Sequence, residues 1–439
     1  MRGVEAALRL VEGVDRGEFL SEALRRLASE KIGTPEDLSL AATLAYAVFR
    51  RKALWERLVR EALTPPRRDP SPGAMRALVV GAAGLCTLRT FAPAALGNAL
   101  VEYVRRISPR EGALVNAVLR RIEPRGISLM ERLGASGALL DQALFRGVPD
   151  WAARRFEEDF GPSGARQLVK MASIRPYTSF CLSPGESPQG WAERLGEAGL
   201  RAWPSPALSG VLRTAATPHI PSVPGFLQGA LSPQTESSMR VSELALSLAG
   251  DGPVLDMCAG RGGKTAHLIS RLPAGAVEAW EKSPGRCRAF RGEMARRHLV
   301  GAVIEGDALA LEASRRYRLV LVDAPCSGSG TWGRHPEAKW RVTPSEVGAL
   351  AALQRRLLAR GASLAASGGY VLYATCSLFR EENEAVVADV LARDPSVVEV
   401  PVLTGKAPWR RGRPWGFSIF PALPWVDGFY VTVLMKVSA

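Results

Sequence analysis

The sequence has little of what a membrane, secreted or metal-binding protein needs. None of its apolar runs reaches the roughly 18 residues that span a bilayer, and its first residues carry an early glutamate with no long apolar stretch behind it. Six cysteines and four histidines are scattered over 439 residues, and no cysteine pair has C-x-x-C spacing. We therefore expect no signal peptide, no metal site and no membrane partner, and a cytoplasmic protein with reduced cysteines.

Acidic residues are also few relative to basic ones. There are 57 Lys and Arg against 43 Asp and Glu, a formal net charge of +14, and hydrophobic residues make up 47% of the chain. That hydrophobic share excludes global disorder, and the length indicates two or three domains. The positive charge favours a polyanionic partner, either nucleic acid or an anionic surface.

Apolar spacing divides the chain into three parts. Residues 1–128 show apolar residues three and four apart and predict a helical domain, interrupted at Pro65, Pro66, Pro70 and Pro72. Residues 129–230 predict a connector and a small mixed α/β lobe, with short helices over 151–160 and 163–172 and a stretch rich in Pro, Ser and Gly from Arg175 to about Phe226. Residues 231–439 alternate strands with helices and predict an α/β domain with a parallel sheet. The predicted strands are 254–257, 276–280, 302–305, 319–323 and 369–375; the clearest predicted helices are 38–59, 284–298 and 344–366.

In such a sheet ligands bind beyond the carboxyl ends of the strands. The first predicted strand is followed by the glycine-rich turn Cys258–Thr265. A phosphate-binding loop would need Gly where Cys258 stands, and a dinucleotide fingerprint would need a third small residue where Thr265 stands, so each pattern fails at one position. Asp256, just before the turn, suits a cofactor that carries an amine, as S-adenosylmethionine does.

Two further acids follow the next two strands. Glu281 can accept hydrogen bonds from both hydroxyls of a ribose, and Asp307 can meet an adenine amino group. Three acids at three consecutive strand ends predict a cofactor site made of these residues and the turn: Asp256, Cys258, Ala259, Gly260, Arg261, Gly262, Gly263, Lys264, Glu281, Asp307 and, on the next strand, Asp323.

Two cysteines also stand directly after apolar strands. Cys326 lies in Asp323-Ala-Pro-Cys-Ser-Gly-Ser-Gly330, and Cys376 lies in Thr375-Cys-Ser377. A lone cysteine is most often a small core residue, and we interpret Cys86, Cys181 and Cys287 in that way. Cys326 and Cys376 lie beyond the apolar part of their strands, at the ligand-binding edge, and are candidates for chemistry.

These strings resemble the RNA (cytosine, carbon 5) methyltransferase family. Further similarity lies in Glu382-Asn-Glu384, in 334–340 and in Asp427-Gly-Phe-Tyr430, while the helical N-terminal part resembles a NusB-type RNA-binding domain, most clearly at Asn116–Arg120. The resemblance implies an all-α NusB-like domain followed by a Rossmann-like class I S-adenosylmethionine methyltransferase domain. It also implies S-adenosylmethionine as cofactor, and as partner 16S rRNA or a small-subunit precursor rather than DNA, bound by a monomer.

The resemblance further implies the roles of the catalytic residues. Cys376 attacks carbon 6 of the cytosine, Cys326 helps to release the product, and Asp323 holds the N3 edge of the base. The family usually has proline where Arg261 stands and aspartate where Glu281 stands, so the geometry of the turn and the contact with the ribose are open. Two alternatives also remain open: a tRNA methyltransferase with the same chemistry, and a noncatalytic RNA-binding assembly factor.

Overall fold

The computed structural model describes residues 2–30, 33–63, 69–88, 92–402, 409–421 and 424–437. They form two compact units: Met1–Ile174 with Trp332–Val342, and Arg175–Thr331 with Thr343–Ala439. The domain boundaries at 128 and 230 stay predictions. Pro65 and Pro66, the predicted helix breakers, lie outside the described residues. In the described parts of the chain, no helix is both long and apolar enough to cross a membrane.

The first unit is helical, as its apolar spacing predicts. Small residues on its central helix α5 allow close packing: a Cβ at Gly81 would lie 2.4 Å from Leu119. Its described helices are α1 (Arg2–Asp15), α2 (Leu20–Ser29), α3 (Pro35–Arg50), α4 (Lys52–Ala62), α5 (Pro72–Thr87), α6 (Pro93–Ile107), α7 (Gly112–Ala135), α8 (Leu139–Arg146) and α9 (Asp150–Met171), the last with a break at Gly161.

The single helix predicted over 38–59 is wrong, because the chain turns at Arg51 between α3 and α4. The turn frees the carbonyl of Arg50 from the helical ladder, and Lys339 donates to it at 3.0 Å. Gly147 packs so closely there that a Cβ would lie 2.1 Å from the same oxygen. Both partners are remote in sequence, so the local apolar pattern contains no sign of the break.

The segment 332–342 belongs to the helical unit although its flanking residues belong to the other. Trp332 is fully buried and packs against Phe156 with ring centroids 6.1 Å apart. The Trp340 indole donates to the carbonyl of Phe49 at 2.5 Å. Lys339 is 0% exposed, and burial lowers its pKa well below the usual value, with Arg50 and Arg51 acting in the same direction.

The second unit begins with a small antiparallel sheet. Its strands are β1 (Ser179–Leu182), β2 (Ala202–Pro204), β3 (Val211–Thr214) and β4 (Leu231–Pro233), in the order β2-β3-β1-β4, with helix α10 (Pro188–Glu197) beside them. Phe180, Leu212 and Leu231 form its apolar core with Trp191 and Leu195 of α10. The sequence predicts a mixed lobe within 129–230, and the last strand of this sheet, Leu231–Pro233, lies just beyond that range.

The main sheet has the predicted parallel strands and an antiparallel extension. Strands β5 to β9 are parallel, in the order β9-β8-β5-β6-β7, whereas β10 to β13 pair antiparallel and continue the sheet beyond β9. The sequence predicts the parallel strands but not this antiparallel extension. The strands are β5 (Val254–Asp256), β6 (Val277–Glu281), β7 (Val303–Glu305), β8 (Tyr317–Asp323), β9 (Ala365–Thr375), β10 (Val397–Glu399), β11 (Trp409–Arg411), β12 (Phe417–Ile419) and β13 (Phe429–Lys436).

Helices cover both faces of this sheet. Val320 and Val322 pack on one side with Leu358 and Ala362, whereas Leu319 and Leu321 pack on the other with Val241 and Leu268. The helices are α11 (Glu236–Ala249), α12 (Gly263–Ile269), α13 (Pro284–Arg296), α14 (Pro344–Leu364) and α15 (Glu384–Arg393). The strand order reverses between β5 and β8, which is where ligands bind in open α/β sheets.

Candidate active site

Asp256 ends β5 and holds the glycine-rich turn from within. Its Oδ2 accepts the Thr265 hydroxyl at 2.7 Å, and its Oδ1 accepts the backbone N–H of Cys258 at 3.3 Å. Asp256 is 1% exposed, and this burial raises its pKa to about 6. Asp256 ends a strand as the sequence predicts, whereas the sequence contains no sign of its hydrogen bond with Thr265.

The glycines of the turn have conformations that other residues rarely adopt. Gly260 and Gly262 have φ values of +59° and +87°, and a Cβ at Gly262 would lie 2.8 Å from the Phe290 ring. The N–H of Gly260 donates to Glu281 Oε2 at 2.9 Å, and the N–H of Ser283 donates to Oε1 at 2.8 Å. Glu281 therefore ties the turn after β5 to the loop after β6.

The remaining predicted cofactor residues lie around this turn. Asp307 follows β7, accepts from Lys282 at 2.8 Å and from the N–H of Leu309 at 3.0 Å, and these hydrogen bonds, led by that from Lys282, lower its pKa. Arg261 is exposed, in the place where the family usually has proline. Burial raises the pKa of the Cys258 thiol well above its usual value, so Cys258 stays protonated.

An ion pair joins the turn to the end of β8. Lys264 Nζ donates to Asp323 Oδ2 at 2.6 Å and lies 5.3 Å from the centre of the Phe429 ring. Burial alone lowers the pKa of Lys264, but the charge of Asp323 and its hydrogen bond outweigh burial, with Cys376 and Asp256 adding to the rise. Lys264 is thus a cation next to Asp323, Cys376 and Asp256 in one cluster.

The two predicted cysteines meet. Cys326 Sγ and Cys376 Sγ are 3.3 Å apart, although 50 residues separate them in the chain. The hydrogen bond with Cys376, followed by burial and by the charges of Cys376 and Glu382, raises the pKa of Cys326 well above its usual value. Cys326 therefore holds its proton, and the thiol–thiol contact places that proton next to the Cys376 sulfur.

A third loop closes on the two cysteine loops. The N–H of Gly330 donates to the carbonyl of Cys376 at 2.9 Å, and the N–H of Gly428 donates to the carbonyl of Gly330 at 2.9 Å. A Cβ at Gly330 would lie 2.2 Å from the carbonyl oxygen of Gly428. Ser327, Ser377 and Glu382, which are not among the predicted site residues, form hydrogen bonds beside the cysteines. The sequence does carry one signal for the two serines, because each directly follows a cysteine.

The segment 409–415 is partly buried. In the sequence, Trp409 and Trp415 alternate with Arg410, Arg411 and Arg413, a pattern that predicts backbone and stacking contacts with RNA. Trp409 instead packs in the core beside Phe417 and Ile419, and Arg411 forms an ion pair with Glu399 at 2.5 Å. Among the described residues there is no group of three His, Cys, Asp or Glu side chains that could hold a metal ion.

Sequence comparisons with known families and relatives give matches over both the helical and the α/β parts of the chain. A model described as 16S rRNA methyltransferase RsmB/F matches residues 243–435, and the NusB family model matches residues 4–124. The ribosomal RNA small subunit methyltransferase B of Xanthomonas campestris is 32% identical over 99% of this chain and 97% of the relative. The Vibrio cholerae protein with the same name is 30% identical over 98% of this chain and 96% of the relative.

This chain belongs to the ribosomal RNA small subunit methyltransferase B family. It is accordingly an S-adenosylmethionine-dependent methyltransferase that acts on ribosomal RNA. Solved structures agree on the fold. The crystal structure of PH0851 has a TM-score of 0.80 over 99% of this chain and 98% of that chain, at 21% identity. A methyltransferase homologue from Pyrococcus horikoshii has a TM-score of 0.58 over 69% of this chain and all of that chain, at 26% identity.

Proposed function

We propose that this protein methylates carbon 5 of a cytosine in 16S rRNA through a covalent bond between Cys376 and carbon 6 of the base. The observation that supports it best is the 3.3 Å contact between Cys326 and Cys376, at the ends of neighbouring strands. Carbon 5 of cytosine is a weak nucleophile, and a thiolate added to carbon 6 makes it a stronger one. A noncatalytic RNA-binding factor would have no use for two thiols in contact.

The residues around the turn fit S-adenosylmethionine, which supplies an electrophilic methyl group when bound. Gly263 has nothing within 4 Å of its Cβ position, so the turn is open on that side. Glu281 already accepts two backbone N–H groups, and each carboxylate oxygen keeps a second lone pair for a ribose hydroxyl. Asp307 is oriented by Lys282 and can accept from an amino group. Asp256 and the turn residues 258–264 complete the proposed site.

The surroundings of the two thiols support Cys376 as the nucleophile. The Lys264 cation lies near Cys376, whose charge contributes to the raised pKa of Lys264. Cys326 has a raised pKa and keeps its proton. Asp323 accepts Lys264 through Oδ2, which leaves Oδ1 for the N3 edge of the base.

The reaction needs only the RNA, the cofactor and water. Cys376 sulfur would form a bond to carbon 6, and the electron pair moved to carbon 5 would form the new carbon–carbon bond to the methyl group, whose bond to the cofactor sulfur breaks and leaves its electron pair on S-adenosylhomocysteine. Transfer of the carbon 5 proton to water then restores the double bond and expels the Cys376 thiolate. Cys326, at 3.3 Å from Cys376, assists this release. The target base must leave its stack to reach thiols at the strand ends.

The identity of the RNA rests on the relatives and the helical unit. The curated relatives are named for the small ribosomal subunit, and residues 4–124 match the NusB family. We therefore propose 16S rRNA or a small-subunit precursor as substrate, bound by a monomer in the cytoplasm, where ribosomal subunits assemble.

Methyl transfer to defined RNAs tests this function. Purified protein with labelled S-adenosylmethionine should methylate unmodified small-subunit rRNA, and the product should be 5-methylcytosine. Unmodified tRNA is the comparison. In a strain that lacks the protein, one 5-methylcytosine of 16S rRNA should be absent. Label in tRNA alone, or at another atom of the base, would contradict the proposal.

A further inference from the structure

A buried carboxylate lies between the loops that carry the two cysteines. Glu382 is 0% exposed and ends a short 3₁₀ turn, Arg380–Glu382. Its Oε1 accepts the backbone N–H of Ser327 at 2.8 Å, and its Oε2 accepts the hydroxyls of Ser377, at 2.5 Å, and of Ser327. Ser327 directly follows Cys326 and Ser377 directly follows Cys376. One carboxylate therefore holds the residue next to each thiol.

Core elements hold Glu382 in turn. Gln354 of α14 donates to Glu382 Oε1 at 3.0 Å and to the carbonyl of Pro325 at 2.8 Å. The hydroxyl of Tyr373, on β9, donates to the Glu382 carbonyl at 2.5 Å. Because Gln354 and Tyr373 are themselves fully buried, the carboxylate has a fixed position from which it can set that of the loops.

Asn383 offers a natural comparison, because it contacts only one of the two loops. Its Oδ1 accepts the Thr375 hydroxyl at 2.6 Å, and its Nδ2 donates to the carbonyl of Ser377 at 3.0 Å. Thr375 and Ser377 flank Cys376, and among the described residues the Asn383 side chain forms no hydrogen bond with the Cys326 loop. Glu382 and Asn383 are thus adjacent in the chain, but Glu382 contacts both cysteine loops and Asn383 contacts the Cys376 loop.

We propose that Glu382 is a positioning residue that holds the Cys326 and Cys376 loops in register, so that their sulfur atoms stay in contact. Its effect on the reaction rests on the proposed two-cysteine function. Both the formation and the release of the RNA adduct then depend on Glu382, whereas Asn383 serves only the step that Cys376 performs.

The contacts explain why a carboxylate stands here rather than an amide. Four donors converge on its two oxygens: the N–H and hydroxyl of Ser327, the hydroxyl of Ser377 and the amide of Gln354. An ionised carboxylate only accepts, and each oxygen has two lone pairs. A glutamine that directs its NH₂ group at the Ser327 N–H and the Gln354 amide would lose both of those hydrogen bonds. In the opposite orientation, both serine hydroxyls would have to turn and accept instead of donating.

The Glu382 charge also affects Cys326. It is among the causes of the raised pKa of Cys326, after the hydrogen bond with Cys376, burial and the charge of Cys376. Loss of this charge would lower the pKa of Cys326 and make its thiol more reactive. If Glu382 becomes neutral, the loss of its charge should therefore make the thiol pair more reactive, whereas the loss of positioning should make it less reactive. The direction of the change distinguishes the two effects.

The first test is kinetic, with Glu382→Gln compared with Glu399→Gln. Glu399 is another buried carboxylate of the same unit, and it pairs with Arg411 on β11, not with the cysteine loops. Glu382→Gln should lower kcat about 100-fold, as expected for reacting groups displaced by about 1 Å, with the KM for S-adenosylmethionine unchanged. In single turnovers the adduct should both appear and decay more slowly. Asn383→Ala should slow its appearance alone.

Two outcomes would overturn the proposal: a kcat for Glu382→Gln within threefold of wild type, or a loss no larger than that of Glu399→Gln. If Glu382→Gln does not fold, as judged by circular dichroism, Ser327→Ala and Ser377→Ala decide instead. Each removes one hydroxyl and keeps the carboxylate. Ser377→Ala should slow formation of the adduct and Ser327→Ala its release; unchanged rates in both would contradict the proposal.

The second test needs neither RNA nor cofactor, so it separates this proposal from the proposed function. Brief oxidation with diamide should join Cys326 and Cys376 in the wild-type protein, detected as a linked tryptic pair by mass spectrometry. Glu382→Gln should form this link roughly 10-fold more slowly because the thiols are no longer held together, and Glu399→Gln should match wild type. A faster link in Glu382→Gln, or no link in wild type, would contradict positioning whether or not the protein methylates RNA.

Discussion

Cys326 and Cys376 follow neighbouring parallel strands, yet their surroundings differ. The Lys264 cation lies within reach of the charge of Cys376, whereas the hydrogen bond with Cys376, burial and the nearby charges raise the pKa of Cys326. Sequence alone cannot distinguish the two thiols, because both stand after an apolar strand. The asymmetry comes from residues that are distant in the chain, and it agrees with the assignment that the family resemblance implies.

The two cysteines should therefore differ when each is removed. Cys376→Ala should abolish both methyl transfer and covalent attachment to RNA, because carbon 6 has no nucleophile. Cys326→Ala should still attach and should accumulate a protein–RNA adduct that survives a denaturing gel. Cys287→Ala, which removes a buried thiol of α13 itself, is the control for loss of a cysteine as such. The reverse pattern, an adduct in Cys376→Ala only, would reverse the assignment.

Asp256 should make the stability of the protein depend on pH. Its folded pKa of about 6 exceeds the ordinary value of 3.8 because of burial, so the folded state binds the proton more tightly than the unfolded state does. Its contribution is full below the ordinary pKa and is lost as pH rises through 6. Between about pH 4.5 and 7.5 the free energy of unfolding should fall by about 2 kcal/mol.

Asp256→Asn removes that titration and retains an acceptor for the N–H of Cys258. Urea unfolding of both proteins across this range, expressed as the difference between them, isolates the effect of Asp256. A difference that does not change with pH would show that Asp256 has the same pKa in the folded and unfolded states.

At the scale of elements, the parallel strands were predictable and the antiparallel ones were not. Strands β5 to β9 are apolar runs, each followed by a polar or glycine-rich turn, and this pattern predicts both the strands and the edge where the site lies. Strands β11 and β12 have three residues each, which is too few for an alternation of apolar and polar residues to be recognised. Strand β13 is long and apolar, but its pairing with β9 depends on contacts across more than fifty residues.

The contact between Gly330 and Gly428 should tolerate no side chain. Gly330→Ala places a Cβ 2.2 Å from the Gly428 carbonyl oxygen, so the loop after β8 must move away from the loop before β13. The free energy of unfolding should fall by about 1–3 kcal/mol, and methyl transfer should fall with it because Gly330 also binds the carbonyl of Cys376.

Gly292→Ala is the matched control. Gly292 lies in α13 with nothing within 4 Å of its Cβ position, so alanine should stabilise the helix by about 1 kcal/mol. Thermal and urea unfolding of both variants give the comparison. Equal stability of Gly330→Ala and wild type would mean that the two loops do not approach as closely as the structure indicates.

At the scale of the whole molecule, the chain order does not follow the two units. The chain leaves the helical unit at residue 174, returns to it for 332–342 and leaves it again. Apolar spacing places the helical and α/β regions correctly, but it cannot assign this short segment, because Trp332 and Trp340 reach their partners only when the chain has folded. The segment 332–342 and Cys326 lie in the same connection, between β8 and α14, only a few residues apart in the chain.

The docking of this segment can be tested by proteolysis of the intact protein. Lys339 is 0% exposed, so trypsin should not cleave after it while the protein is folded. Trp332→Ala removes the contact with Phe156 and should expose the segment, which gives cleavage after Lys339 before cleavage elsewhere in either unit. Trp425→Ala removes an aromatic contact of the second unit, with Trp203, and should leave Lys339 protected. Early cleavage after Lys339 in the wild-type protein would show that 332–342 does not stay packed against the helices, since a buried site is cut only when the surrounding structure opens.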